Sequence, residues 1–219
     1  MKSDLVSRYL YAPKSKPYGR SAGRWAEAWV KWALTIPKCN NPILDTSGIR
    51  CAINQRGSVW FLAGTFGTSV RRSCIIPASV GLFFPIIEKE CSFAEDGGQI
   101  HNEAGLANRA KYLMDLVIYM KLSIDDSIVK GLEKFRARSR VFDLFFPEDN
   151  VYGVSKGYTR SVTDGYWIML KNLEMGKHVL RFSAEAVIPD GPIKSLAKRY
   201  VKLRRDKFRT EVRYDLTIL

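Results

Sequence analysis

The sequence predicts a mainly β protein, an antiparallel β-sandwich of jelly-roll type with two peripheral helices. Three observations carry this. The densest apolar run, Val59-Trp-Phe-Leu-Ala-Gly-Thr-Phe-Gly67 continuing to Leu82-Phe-Phe-Pro-Ile-Ile87, is broken by glycines and rich in the β-branched and aromatic residues that suit a pleated surface. Later segments alternate apolar and polar with a period of two, most regularly from Phe208 to Ile218. Finally, no strand–helix–strand rhythm runs through the chain to build a parallel sheet.

Residues 1–19, with Pro13, Pro17 and Gly19 and little periodicity, read as a loosely packed N-terminal arm. Residues 20–219 form a single sandwich domain with a basic insertion near 191–207. Ser21 opens a helix that Pro37 ends, with Trp25, Trp29, Trp32 and Ile36 on one face. Such a stripe presses a helix onto a sheet; a stacking platform for sugars or bases is the alternative. Turn residues fill 40–48, and strands are expected near 50–55, 58–66, 70–76 and 80–87, with Pro77 and Pro85 confined to strand ends or edges. Glu88, Glu90, Glu95 and Asp96 then cluster before Gly97-Gly98, as a charged loop leaving a buried strand or as groups for calcium or acid–base chemistry.

A second helix is expected from Glu103 to about Leu122, its stripe formed by Leu106, Ala110, Leu113, Val117 and Met120. Asp125-Asp126 marks a hairpin turn. In 134–146, Phe135, Ala137, Ser139 and Val141 face one way, and Lys134, Arg136, Arg138 and Arg140 the other. Four like charges on one strand face repel unless an anion or facing carboxylates offset them. Strands Thr159–Leu170 and Lys177–Ile188 follow, and His178 shares a face with Leu180, Phe182 and Ala184, the position of a packed, hydrogen-bonded histidine rather than a ligand.

The compositional outlier is a net charge of +13 over 219 residues, which attracts polyanions and says nothing about fold. The candidate anion site joins Arg136, Arg138 and Arg140 to Lys198, Arg199, Arg204 and Arg205 of the insertion. Guanidinium groups suit bidentate contact with oxyanions. No apolar run is long enough to span a membrane, and the N-terminus lacks the charged-then-apolar order of a secretory signal. The chain holds no P-loop, HExxH, GxSxG or GxGxxG motif. Two separated histidines and four cysteines without a CxxC pair point to no metal and no cofactor. Cys51 and Cys74 flank the first apolar run, and a hairpin there predicts a disulfide between them worth about 3 kcal/mol. Cys39 and Cys91 stay open, paired or free.

Several segments taken together carry a resemblance. They are Trp32, Ile36-Pro37, Asn41-Pro42, Cys51, the 59–67 run, Arg72-Ser-Cys74-Ile-Ile-Pro77, the 82–87 run, Asp164-Gly-Tyr-Trp167, Gly176-Lys-His178 and Thr210-Glu-Val-Arg-Tyr-Asp-Leu-Thr217. Over roughly residues 25–219 the chain resembles a family of uncharacterised, mostly secreted β-rich proteins of bacteria and ammonia-oxidising archaea. The resemblance implies an extracellular or cell-surface setting, which favours disulfides, and no activity; a cytoplasmic setting is the alternative.

The functional expectation is a non-catalytic binding module for a polyanionic ligand, an acidic glycan or an acidic protein surface. Nucleic acid ranks lower, because only Tyr200 and Phe208 interleave the basic insertion. The rivals are a carboxylate-dependent hydrolase using Glu88, Glu90 or Asp164, and a structural or assembly subunit.

Overall fold

A computed structural model describes residues 8–190 and 207–219, together with the backbone of Leu203–Arg204. Helix α1 spans Ala22–Leu34, the single turn α2 Phe93–Asp96, and α3 Glu103–Asp115. The first sheet contains β1 (Val59–Phe61), β3 (Gly81–Ser92) and β8 (Gly157–Leu170) in that order. Along the far side of β8 lie β6 (Arg136–Arg138) and β7 (Phe142–Phe146). In the second sheet β11 (Lys207–Ile218) pairs on one side with β9 (Gly176–Val187), followed by β4 (Val117–Ile124) and β5 (Ser127–Ile128). On its other side it pairs with β2 (Ser69–Ile76) and β10 (Leu203–Arg204).

The first sheet is buried on both faces, which is why residues 82–87 of β3 and 166–170 of β8 read as unbroken apolar runs rather than as alternation. Its inner face sets Leu82, Phe84, Val162 and Ile168 against Leu180, Phe182, Val212 and Leu216 of the second sheet. Leu106, Ala110 and Leu113 of α3 join the same core. On the outer face Trp25, Trp29 and Ala33 of α1 meet Phe83, Trp167 and Met169. The tryptophans are therefore core, not a platform; Trp29 also donates from Nε1 to Leu62 O at 2.9 Å. Among the described residues, no helix is long and apolar enough to cross a membrane.

The two-sheet, mainly β architecture is as the alternation predicts, but the pairing is mixed rather than antiparallel. β1 runs parallel to β3, and β2 parallel to β11. The cause is that consecutive strands change sheet: the chain passes from β1 across to β2 and back to β3. Residues 50–55 are turns, not a strand, because side chains organise them. The Asp45 carboxylate accepts from the amides of Ser47 and Arg50, and the Gln55 amide bonds Cys51 O and both backbone groups of Phe61. The second helix stops at Asp115 because the β-branched and aromatic residues from Val117 onward pair with β9 instead. Asp125 and Asp126 form the expected turn, both at positive φ (48° and 64°). Residues 8–11 pack on the end of β8: Leu10 bridges Leu170, and Tyr9 is buried.

Arg72 ties these parts together. It is 1% exposed, on the apolar face of β2 with Cys74 and Ile76. Its guanidinium donates to Asp45 O (2.7 Å), Ala63 O (2.6 Å), Ile43 O (3.0 Å), Gly64 O (3.1 Å) and the Tyr214 hydroxyl (2.8 Å). Among the described residues no carboxylate bonds this guanidinium; the charge is solvated by four backbone carbonyls and the Tyr214 hydroxyl. Arg72→Leu leaves the Ile43, Asp45 and Gly64 carbonyls without donors, and Arg72→Lys has no fork with which to reach them. Each is expected to lower stability by about 3–5 kcal/mol, read from urea unfolding. A loss below about 1 kcal/mol contradicts this assignment.

Candidate functional site

β1 covers the edge of β3 only from Gly81 to Phe83, and its last bond is Leu62 N to Phe83 O at 3.0 Å. The chain then crosses to the second sheet, where Ala63 N donates to the Tyr214 hydroxyl at 3.0 Å and the Thr65 hydroxyl meets that of Thr210 at 3.0 Å. From Pro85 onward that edge of β3 has no neighbouring strand among the described residues, and proline, lacking an N–H, suits such an edge. A β-bulge lies between Pro85 and Ile87. It turns both Ile86 and Ile87 to the inner core, so Glu88 and Glu90 face the opposite way from the residues the simple alternation assigns.

A cleft of about 130 Å³ opens along this free edge. Its walls are mostly apolar: Ile86 of β3, Leu113 and Met114 of α3, Phe66 of the crossover and Phe208 of β11. Glu88, Lys89, Glu95 and Arg109 form its polar end, beside Tyr152. The acids expected in a solvated loop are instead buried: Glu90 is 0% exposed, Glu95 2% and Asp96 1%. Two ion pairs neutralise part of this charge. Lys89 Nζ lies 3.0 Å from Glu95, and Arg109 pairs with Asp96, whose second oxygen accepts from Ile100 N.

Glu88 and Glu90 have hydroxyl partners rather than cations. Thr163 Oγ1 donates to Glu88 Oε2 at 2.8 Å and Ser161 Oγ to Glu90 Oε1, while Glu90 Oε2 is buried without a hydrogen bond. Burial pushes the Glu88 carboxyl up to about 7, against the Thr163 bond and the Lys89 charge. Burial, reinforced by the Glu95 charge, pushes Glu90 up to about 8. Burial alone would lower the Lys89 ammonium, but the charges around it, Glu95 first, carry it above its ordinary value. Gly165 lies opposite Glu88, and a Cβ there would stand 2.6 Å from the Glu88 Cβ, so the close strand approach requires glycine.

The sequence-predicted anion site is only partly assembled. Lys134, Arg136, Arg138 and Arg140 do alternate with inward Phe135, Ala137 and Ser139, but only Arg136 and Arg138 lie in a strand; Leu132–Phe135 is a 3-10 turn. Arg136 is a satisfied tie, bonded to Asp164 (3.0 Å), Asp115 (2.6 Å) and Lys111 O (2.9 Å). Asp164 is thereby occupied, on the neighbouring strand. Arg138 and Arg140 are exposed and make no ion pair among the described residues. Lys198, Arg199 and Arg205 lie outside the described residues, and Arg204 is described only as backbone, paired with Lys207. His178 is packed as expected, Nδ1 on Asp125 and Nε2 on Glu174 O.

The expected Cys51–Cys74 disulfide is corrected: all four cysteines are free thiols. No hairpin joins β1 to β2, since they belong to different sheets. Cys51 is brought beside Cys74 by the loop whose Ser47 O accepts from Ser73 N. A hydrogen bond from the Cys74 thiol lowers Cys51, while the same contact and burial raise Cys74. Among groups unmarked by the sequence reading, Arg109 and Tyr152 complete the cleft; neither sits in a motif, and only the fold brings them to β3. The second sheet also aligns Arg71, Arg213 and Arg181 across three strands, offset in part by Asp215 and Asp126.

No family model matches the chain, and no curated protein matches it. A solved chain titled "Structure of PbICP-C in complex with falcipain-2" is 10% identical, spanning 74% of this chain and 100% of that one at a TM-score of 0.24. A likeness at that level carries no argument about fold or function.

The buried carboxyls set a pH dependence. Both hold a proton in the folded protein over a range in which the unfolded chain, near its ordinary 4.5, has lost it. Their contribution is therefore full below that value and is lost as pH rises through about 7 for Glu88 and about 8 for Glu90. Chemical unfolding across this window is expected to show falling stability, by at most about 1.4 kcal/mol per pH unit for each group. Glu88→Gln and Glu90→Gln each flatten the slope; a profile unchanged in both variants contradicts the assignment.

Proposed function

We propose that the protein is a non-catalytic binding module whose ligand enters the cleft on the free edge of β3. The observation that carries this is the cleft itself, an apolar slot ending at the Glu88 carboxyl. An apolar pocket with a few convergent polar groups is the usual form of a small-molecule site. Its volume of about 130 Å³ suits a compact ligand, since a cavity of roughly 150 Å³ accepts benzene. Carboxylate-pair hydrolysis is the weaker reading. It needs a free acid and a free base flanking one bond, whereas Glu95 is held by Lys89, Asp164 by Arg136, and Glu90 is sealed.

Screening small apolar fragments by NMR is expected to shift the signals of Phe66, Met114 and Phe208 together. Binding that perturbs only residues outside the cleft, or no binding, overturns the reading.

A second reading, attraction of an acidic glycan, is supported by the net charge of +13 and by the unpaired Arg138 and Arg140. Counterion release gives such binding a steep salt dependence. Changing both arginines to Gln is expected to bring elution from heparin to lower salt; unchanged elution removes them from any such surface.

A further inference from the structure

We infer that the cleft selects a small organic cation, an ammonium group carried on an apolar chain or ring, and that Glu88 receives it. The inference rests on the cleft being a ligand site and adds the ligand's charge.

Charge complementarity is the first argument. Among the described residues, the polar end gathers four carboxyl groups, Glu88, Glu90, Glu95 and Asp96, around two cations, Lys89 and Arg109. Both cations are spent on Glu95 and Asp96, so the two acids in excess are Glu88 and Glu90. Of these, Glu88 lines the cleft. Thr163 fixes one of its oxygens at 2.8 Å, and the other accepts no hydrogen bond among the described residues. An anionic ligand would have to break an ion pair to find a cation, and would then lie against Glu88. An ammonium meets a fixed carboxylate oxygen that lacks a partner, an arrangement of the charge-assisted kind.

The aromatic lining is the second argument. The faces of aromatic rings attract cations, most strongly where water is excluded. Here the Lys89 ammonium already lies 5.5 Å from the centre of the Tyr152 ring, so the polar end presents a ring face to positive charge. Trp29, Phe66 and Phe208 line the remainder, where the apolar part of the ligand lies.

Binding is then linked to protons. An arriving cation favours ionised Glu88, so the carboxyl releases its proton on binding and affinity rises with pH. The groups facing Glu88 across this range are Lys89 and Glu90 on its own strand, Glu95 of α2, Arg109 of α3, and Tyr152.

The test is isothermal titration of the full chain with hexylammonium, hexanol and hexanoate, for wild type and for Glu88→Gln. The variant keeps the shape of the protonated side chain and its Thr163 partner, and circular dichroism checks its fold. Hexylammonium is expected to bind wild type at least about tenfold more tightly than hexanol, equivalent to about 1.4 kcal/mol. In Glu88→Gln that margin disappears, the ammonium affinity falling to that of hexanol. For wild type, ammonium affinity increases from about pH 6 to about pH 8, with proton release detected from the buffer dependence of the heat. Equal binding of alcohol and ammonium, or tightest binding of hexanoate, overturns the inference and leaves the cleft a ligand site. Binding of none of the three overturns the cleft reading as well.

Discussion

The buried guanidinium of Arg72 is the constraint on which the rest of the structure depends. Its donors reach Ile43 and Asp45 on one segment and Ala63 and Gly64 on another, and both segments border the cleft. A charge with no carboxylate partner is costly to bury, and only a full set of acceptors offsets the cost. That requirement fixes where the crossover after β1 must run. Drawn toward β2 and β11, it leaves β3 uncovered past Phe83. Had residues 63–66 continued along β3, the first sheet would have gained a longer strand and lost its cleft.

The same edge explains why polar groups are tolerated inside an apolar sheet. β3 changes from Leu82-Phe-Phe-Pro-Ile-Ile87 to Glu88-Lys-Glu-Cys-Ser92, and antiparallel β8 changes in the opposite sense, so the two polar halves lie side by side. Thr163 and Ser161 supply hydroxyls to Glu88 and Glu90 where no cation is spare. These bonds favour the ionised forms, but burial outweighs them, and the carboxyls hold protons to unusually high pH. The pH dependence of stability and the charge of the polar end are thus set by the same two side chains. Tyr152, inserted from the loop after β7, closes the arrangement beside Lys89.

Much of the scaffold was legible from local pattern. The period-two alternation located β9 and β11 closely, the tryptophan stripe identified α1 as a core helix, and Asp125-Asp126 marked its hairpin. What escaped were features set by distant residues. Parallel pairing of β1 with β3 arises from two sheet crossings, which leave no trace in either strand. Helical periodicity ran past Asp115 because Val117 and Met120 fit the stripe equally well, and pairing with β9 decided the matter. Arg136 looked like one rung of a cationic ladder, yet its acids lie 21 and 28 residues away along the chain. The grouped acids after Ile87 were visible, but their burial was not, since a one-residue bulge and helices α2 and α3 determine it. Arg72 drew no notice as a buried cation in the sequence, although it is in phase with Val70, Cys74 and Ile76 on an inward face.

The claim that the free edge of β3 forms a dry, ligand-sized cleft is tested most directly by crystallography under xenon pressure. Xenon occupies apolar cavities of this scale without needing hydrogen bonds. The account predicts electron density for xenon in the cleft between Phe66, Met114 and Phe208, short of the Glu88 carboxyl. A structure in which the crossover lies against β3 beyond Phe83, leaving no volume for xenon there, would contradict it.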